Sequence, residues 1–246
     1  MSDGEEKRMR VVIHAGGKGT RLKPYTTIFP KPLMPLDDMP ILEVVIRQLK
    51  RARLAKITMT VGHLAGLLEA YFGDGSKWGV EIGYSLENKP LGTAGPLALI
   101  EGLTDTFLVL NGDVLTTLDY SELIEYHRRE KAVATVAMYD REVEISLGVL
   151  KINEKNEVCD YIEKPIMKYC ASMGVYVFEP QVLEYIKSGE ACDLPDLIKT
   201  LIEHDKRVKG YRFNGYWRDI GRQEDYEKAV DEFAEWKDKL LGSICA

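Results

Sequence analysis

Residues 10–15 read Arg-Val-Val-Ile-His-Ala, and they run directly into Gly16-Gly17-Lys18-Gly19-Thr20-Arg21-Leu22. Three consecutive apolar residues, Val11, Val12 and Ile13, predict a buried strand. A strand that opens into three glycines and two cations is shaped to wrap an anion. Glycine lets backbone N–H groups approach phosphate oxygens with no side chain in the way. Arg21, and Lys31 within the downstream Pro30-Lys31-Pro32, supply the charge that a polyphosphate requires. The opening therefore commits the chain to an α/β fold in which loops gather at the carboxyl ends of strands.

Two familiar phosphate loops do not fit. The dinucleotide fingerprint G-x-G-x-x-G fails because Leu22 stands where its last glycine should be. The Walker loop fails because Lys18 is followed by Gly19 and not by Ser or Thr.

The rest of the chain alternates strand-like and helix-like segments, as in a mostly parallel sheet covered by helices. Strands are predicted at about 10–15, 57–61, 80–85, 107–110, 132–139, 147–152, 158–162, 173–178 and 208–213. Helices are predicted at about 40–51, 65–72, 96–102, 120–130, 194–204 and 223–240, with Pro40 suiting a first helical turn. The fully apolar Phe107-Leu108-Val109-Leu110 reads as a central strand and ends in Asn111-Gly112-Asp113. Ala15 and Asp113 thus stand at the carboxyl ends of two strands, where one site can face both.

Composition limits the partners. At 246 residues with 45% hydrophobic content, the chain has length for one α/β domain or two small ones. A net charge of −6 with no long basic run argues against nucleic-acid and anionic-membrane binding. Cys159, Cys170, Cys192 and Cys245 show neither paired nor zinc spacing and read as reduced thiols of a cytoplasmic protein. The polar residues 1–9 read as a frayed tail without a signal sequence, and no apolar run reaches membrane-spanning length. His14, His63, His127 and His204 are scattered and read as structural or surface residues.

The glycine segment with its downstream P-K-P resembles the signature of the sugar-1-phosphate nucleotidyltransferases, whose usual form is L-A-G-G-x-G-T-R-L. His14 stands in place of the Leu. Four further segments follow in that family's order. Glu87-Asn88-Lys89-Pro90-Leu91-Gly92-Thr93-Ala94 resembles the segment that packs on the base, in the version of the mannose-1-phosphate guanylyltransferases. Asn111-Gly112-Asp113 and Trp217-Arg218-Asp219-Ile220-Gly221 resemble the pair of motifs whose acids hold Mg²⁺. Glu163-Lys164-Pro165, about 50 residues after Asp113 and 55 before Asp219, resembles the motif that receives the sugar phosphate. A carboxylate at a strand end can equally be a turn or cap residue, and Asp219 can equally cap the helix near Gln223.

The resemblance implies a three-layer α/β/α Rossmann-like nucleotidyltransferase fold with a mostly parallel sheet and a smaller sugar-binding lobe. It implies a single domain over 10–240, with a nucleotide lobe at about 10–145, a sugar-phosphate lobe at about 146–222 and a C-terminal helix at about 223–240. Without length for a β-helix extension, a stand-alone catalytic domain is expected. Ala15, Gly16, Gly17, Gly19, Thr20, Glu87, Pro90, Gly92, Thr93 and Gly112 would hold the nucleotide. Gly148, Glu163, Lys164 and Ser172 would hold the sugar, with Ser172 replacing the family's Asn. Arg21, Lys31 and Lys164 would carry catalysis, and Asp113 and Asp219 would carry Mg²⁺.

The implied reaction passes a nucleoside monophosphate from an NTP to a sugar 1-phosphate and releases pyrophosphate, with GTP and mannose 1-phosphate as the first pair. Thymidylyl, uridylyl and heptose guanylyl versions stay open, as do a homo-oligomer and a non-catalytic regulatory subunit that binds NDP-sugar. A glycosyltransferase is disfavoured because Gly112-Asp113-Val114 is not a D-x-D motif.

Overall fold

The computed structural model describes residues 9–242. The strands in chain order are β1 (Arg10–His14), β2 (Pro35–Leu36), β3 (Met39–Pro40), β4 (Lys56–Val61), β5 (Glu81–Leu86), β6 (Phe107–Asn111), β7 (Val114–Thr116), β8 (Ala134–Glu144), β9 (Val149–Ile152), β10 (Val158–Ile162), β11 (Ile166–Phe178), β12 (Val208–Phe213) and β13 (Trp217–Asp219). The helices are α1 (Ile41–Arg51), α2 (Ala65–Phe72), α3 (Tyr120–Glu130), α4 (Leu194–Glu203) and α5 (Gln223–Leu241).

Seven strands form the central sheet in the order β12-β8-β11-β6-β1-β4-β5. β1 pairs in parallel with β4 and β6, β4 with β5, and β12 with β8. β11 alone runs antiparallel, between β6 and β8. β1 and β6 sit at the centre and are buried on both faces, hence their unbroken apolar sequences.

Alternation along β1 builds the three layers. Val11 and Ile13 pack on one face against Leu42, Val45 and Leu49 of α1, Phe72 of α2 and Leu123 of α3. Val12 faces the other way, toward Leu197 and Leu201 of α4 and Leu97. A third cluster joins Phe233 and Leu240 of α5 to Ile41 and Val44 of α1 and to Leu115 and Ile220. Each fully buried side chain of this size contributes about 1.5–3 kcal/mol. Met9 is already buried in the first cluster. The rest of the expected tail, and Cys245, lie outside the described residues.

Several expectations are corrected. The helix expected over 96–102 is a single 3-10 turn, Gly95–Leu99. Its apolar residues pack into the second cluster, and Gly102 at φ 76 turns the chain soon afterwards. Pro40 stands just before α1, at its N-cap position, and not in the first turn. β8 and β11 are longer than predicted because they continue past the sheet as a two-stranded ribbon, from Ser172↔Met138 out to Ile166↔Glu144. The β9–β10 hairpin stands between them. This arm exposes Leu147, Leu150, Ile152, Val158, Tyr161 and Ile166. No helix among the described residues is long and apolar enough to cross a membrane.

Candidate active site

The carboxyl ends of β1, β4, β5 and β6 surround a cavity of about 810 Å³. Ala15 through Arg21 form one wall, with Lys31 beside them. Glu87, Pro90, Gly92 and Thr93 form a second stretch of wall, and His14, Thr60, Asn111 and Asp113 line the cavity as well. A volume of this size accommodates a nucleotide with a small partner.

The glycine loop is held from within. Gly19 adopts φ 57, a left-handed conformation that favours glycine, and its carbonyl accepts a 2.7 Å hydrogen bond from the buried hydroxyl of Thr26. A Cβ on Gly19 would lie 2.8 Å from Thr26 Cγ2. On the other wall, Glu87 Oε2 accepts the Leu91 amide at 3.1 Å. Its Oε1 comes within 3.2 Å of where a Cβ on Gly16 would stand, so the two walls meet at a glycine. Burial pushes the Glu87 carboxyl above its ordinary range.

Thr93 lines the cavity, and its side chain is engaged by the protein. Its hydroxyl accepts the Leu194 amide at 2.7 Å and donates to Asp193 Oδ1 at 3.3 Å, so it caps α4 from across the chain. The same loop is pinned by Ala94 and Gly95 amides that both donate to the Cys192 carbonyl. Thr93 thus lines the cavity while its side chain holds the wall in place.

Of the two acids expected to share a metal, Asp113 sits in the turn just before β7 and Asp219 ends β13. β7 and β13 pair antiparallel with Val114 opposite Asp219, and the Ile220 amide donates to the Asp113 carbonyl at 3.2 Å. Arg222, not Asp219, occupies the N-cap of α5, which leaves the Asp219 carboxylate free of that duty. Lys31 Nζ donates to Asp113 Oδ2, while Asp113 Oδ1 is buried without a partner. Asp219 is exposed to solvent and lies outside the cavity lining, yet surrounding protein and the Asp113 charge push its carboxyl above the usual range. Lys31 and Arg21 act on Asp219 in the opposite direction. An ideal Cβ on Gly221 would sit 3.3 Å from Asp219 Oδ2 and 3.9 Å from Arg21 Nη1, so Arg21 reaches this corner too.

The donor set fits a magnesium ion. Two carboxylates offer hard oxygens, one of them an orphan. No cluster of three or more His, Cys, Asp or Glu suited to a metal exists among the described residues. Such a pair leaves coordination positions for water and substrate phosphate, as Mg²⁺ favours.

The sugar-side residues stand apart from this cavity. Gly148, Glu163, Lys164 and Ser172 are absent from its walls because the first three belong to the exposed arm and Ser172 to its base. Within the arm, Tyr161 Oη donates to Glu163 Oε2 at 2.9 Å, and Lys164 adopts φ 45 in the turn between β10 and β11. Ser172 Oγ lies 2.9 Å from Tyr176 Oη at a break in register between β11 and β8. Gly112 is buried against the His14 carbonyl and so supports the cavity from behind, since a Cβ there would lie 3.0 Å from that oxygen. His14, Thr60 and Asn111, none of them marked as a binding residue by the sequence, sit side by side at the ends of three strands; a polar residue closing the apolar runs at 11–13 and 107–110 is the signal for two of them.

A nucleotidyl transferase family model matches residues 10–235, nearly the whole described chain. The chain belongs to the nucleotidyl transferase family. It is 35% identical over 242 residues to a UTP–glucose-1-phosphate uridylyltransferase of Synechocystis, a match that covers 90% of this chain and 62% of that protein. It is 34% identical over 223 residues to a mannose-1-phosphate guanylyltransferase of Mycobacterium tuberculosis, covering 87% and 62%. The chain therefore spans about three-fifths of the length of these curated relatives. Among solved structures, HddC from Yersinia pseudotuberculosis complexed with GMP-PN superimposes with a TM-score of 0.70 at 25% identity, covering 92% of this chain and 99% of that one. The nucleotidyl transferase assignment accounts for the three layers and for the mostly parallel sheet.

Proposed function

We propose that this nucleotidyl transferase joins an NTP to a sugar 1-phosphate, giving NDP-sugar and pyrophosphate. The observation that carries the reading is the convergence of Arg21, Lys31 and Asp113 on one glycine-walled cavity, with the Asp219 carboxylate close enough to feel the charges of all three. A phosphate oxygen of the sugar 1-phosphate attacks the α-phosphorus in line. The bond from that phosphorus to the bridging oxygen breaks, and pyrophosphate leaves with the electron pair. The nucleophile is already an anion at neutral pH, so no general base is needed, and catalysis is positioning plus charge balance.

In this reading the glycine-loop amides hold the triphosphate and Arg21 and Lys31 balance its charge. Lys164 receives the acceptor phosphate once the arm and the cavity share a substrate. Asp113 and Asp219 would hold Mg²⁺, which when bound polarises the α-phosphate and offsets charge on the departing pyrophosphate.

Glu87 supports GTP. A carboxylate there accepts hydrogen bonds, which suits the adjacent N1–H and N2–H donors of guanine; uracil and thymine offer one donor between two acceptors. The guanylyltransferase name of the M. tuberculosis relative and the GMP-PN bound to HddC agree with that choice. UTP is the second reading, carried by the uridylyltransferase name of the Synechocystis relative. A non-catalytic sugar-nucleotide sensor would have no need for Arg21, Lys31, Asp113 and Asp219 together. Mass spectrometry of mixtures of each NTP with each sugar 1-phosphate tests the proposal: an NDP-sugar product supports it, and its absence from every mixture contradicts it.

A further inference from the structure

Among the described residues lining the cavity, one buried polar atom without a hydrogen-bond partner is used by neither the phosphate reading nor the metal reading. His14 ends β1 in register with Thr60 of β4 and Asn111 of β6. Its Nδ1 lies 3.0 Å from Thr60 Oγ1, which fixes the ring. Its Nε2 is buried with no hydrogen-bond partner, although the residue lines the cavity. Buried polar atoms are nearly always satisfied, so an orphan at a cavity wall marks a place where something else binds.

We infer that His14 Nε2 recognises a ring hydroxyl of a bound substrate, on the ribose of the nucleotide or on the sugar of the sugar 1-phosphate. This rests on the proposed transferase reaction and adds a specificity residue to it. Three features favour a hydroxyl. Desolvation lowers the His14 pKa to about 4, so the imidazole is neutral and poorly suited to phosphate, whose cations are Arg21 and Lys31. In the proposed reaction the base already has its reader in Glu87, which lines the same cavity. The third feature is tautomerism. A neutral imidazole presents either a donor or an acceptor at Nε2, according to which way the Thr60 hydroxyl points. A hydroxyl both donates and accepts, and so satisfies either tautomer. The Leu that the family's usual motif carries at this position offers no such contact.

The test compares wild type with H14N and H14L. Asn retains a polar atom near the Nδ1 position, for Thr60, but does not reach the Nε2 position; Leu removes both. Calorimetry with GTP alone and steady-state KM values for sugar 1-phosphate are measured for each, with folding checked by thermal melting. Loss of one hydrogen bond predicts roughly 3- to 10-fold weaker binding of the substrate that carries the hydroxyl. Deoxy analogues separate the two sources. If ribose is the partner, wild type discriminates GTP from 2′- or 3′-deoxy-GTP and H14N loses that discrimination. If the sugar is the partner, the same flattening appears across a series of deoxy-sugar 1-phosphates. Turnover by wild type with unchanged Kd and KM in both variants overturns the inference and leaves the reaction standing, the orphan then being served by water. No turnover by wild type with any NTP and sugar 1-phosphate overturns the reaction and the inference together.

Discussion

Lys31 Nζ donates to Asp113 Oδ2 across 82 residues of sequence, and the other oxygen of that carboxylate is buried with no partner. The pair holds one acid half-engaged at the mouth of a phosphate-shaped cavity. Unpairing a buried charge without its counter-charge is costly, so a ligand that takes Oδ1 and draws Lys31 toward phosphate would satisfy both groups.

The first prediction concerns this carboxylate. Asp113→Asn should lower kcat by at least roughly 10²-fold, by analogy with the loss of other charge-stabilising groups, while circular dichroism shows the fold retained. Asp219→Asn should behave similarly, and chelation of divalent ions by EDTA should silence wild type until Mg²⁺ is restored. Full activity of Asp113→Asn would remove this acid from the chemistry.

The glycine loop yields a second prediction. Gly19→Ala forces a Cβ into a left-handed residue and against Thr26, only 2.8 Å from Cγ2. A cost of about 1–2 kcal/mol is expected from the backbone alone, together with a raised KM for the NTP because the loop must shift. Denaturant titration and initial-rate kinetics check the two effects separately.

Thr93 provides a third, in which structure and binding part company. Thr93→Val removes a cap hydrogen bond from α4 and should cost about 1 kcal/mol of stability, since the Leu194 amide loses its partner. Nucleotide affinity should fall by much less than in a Glu87→Ala variant. A Thr93→Val protein of unchanged stability but weakened nucleotide binding would return the hydroxyl to the ligand.

The fourth is a pH dependence. His14 is held near a pKa of about 4, below its ordinary value of 6.5. The folded protein thus binds fewer protons than the unfolded chain between those values. Stability from this group is full above pH 6.5 and declines as pH falls toward 4. At pH 5 the wild type should have lost about 2 kcal/mol through His14 relative to pH 7.5. His14→Leu lacks that term, so the unfolding free energy of wild type minus that of the variant, from urea titration, should fall by about 2 kcal/mol between pH 7.5 and pH 5. A constant gap across pH 5–7.5 would contradict a buried neutral ring.

The glycine loop, the central strands and the two acids were legible because each depends on short sequence: an apolar run, a turn, a carboxylate at a strand end. Three-residue strands such as β7 and β13 were not, since their existence comes from pairing across a hundred residues. Pro96-Leu97-Ala98-Leu99 resembled a helix because a short buried apolar run carries no periodicity of its own. Thr93 read as a ligand residue because sequence cannot show that Leu194 lies above it. His14 looked structural because only the registers with Thr60 and Asn111 reveal that its ring stands at a cavity wall.

The most direct test of the central claim is pyrophosphate release by purified protein with Mg²⁺, with GTP, UTP, dTTP, CTP and ATP each offered against mannose, glucose and heptose 1-phosphates. Release that requires both an NTP and a sugar 1-phosphate, fastest with GTP and abolished in Asp113→Asn, is the predicted result. Silence across the whole panel, from protein that still binds nucleotide, would contradict the assignment of this site to nucleotidyl transfer.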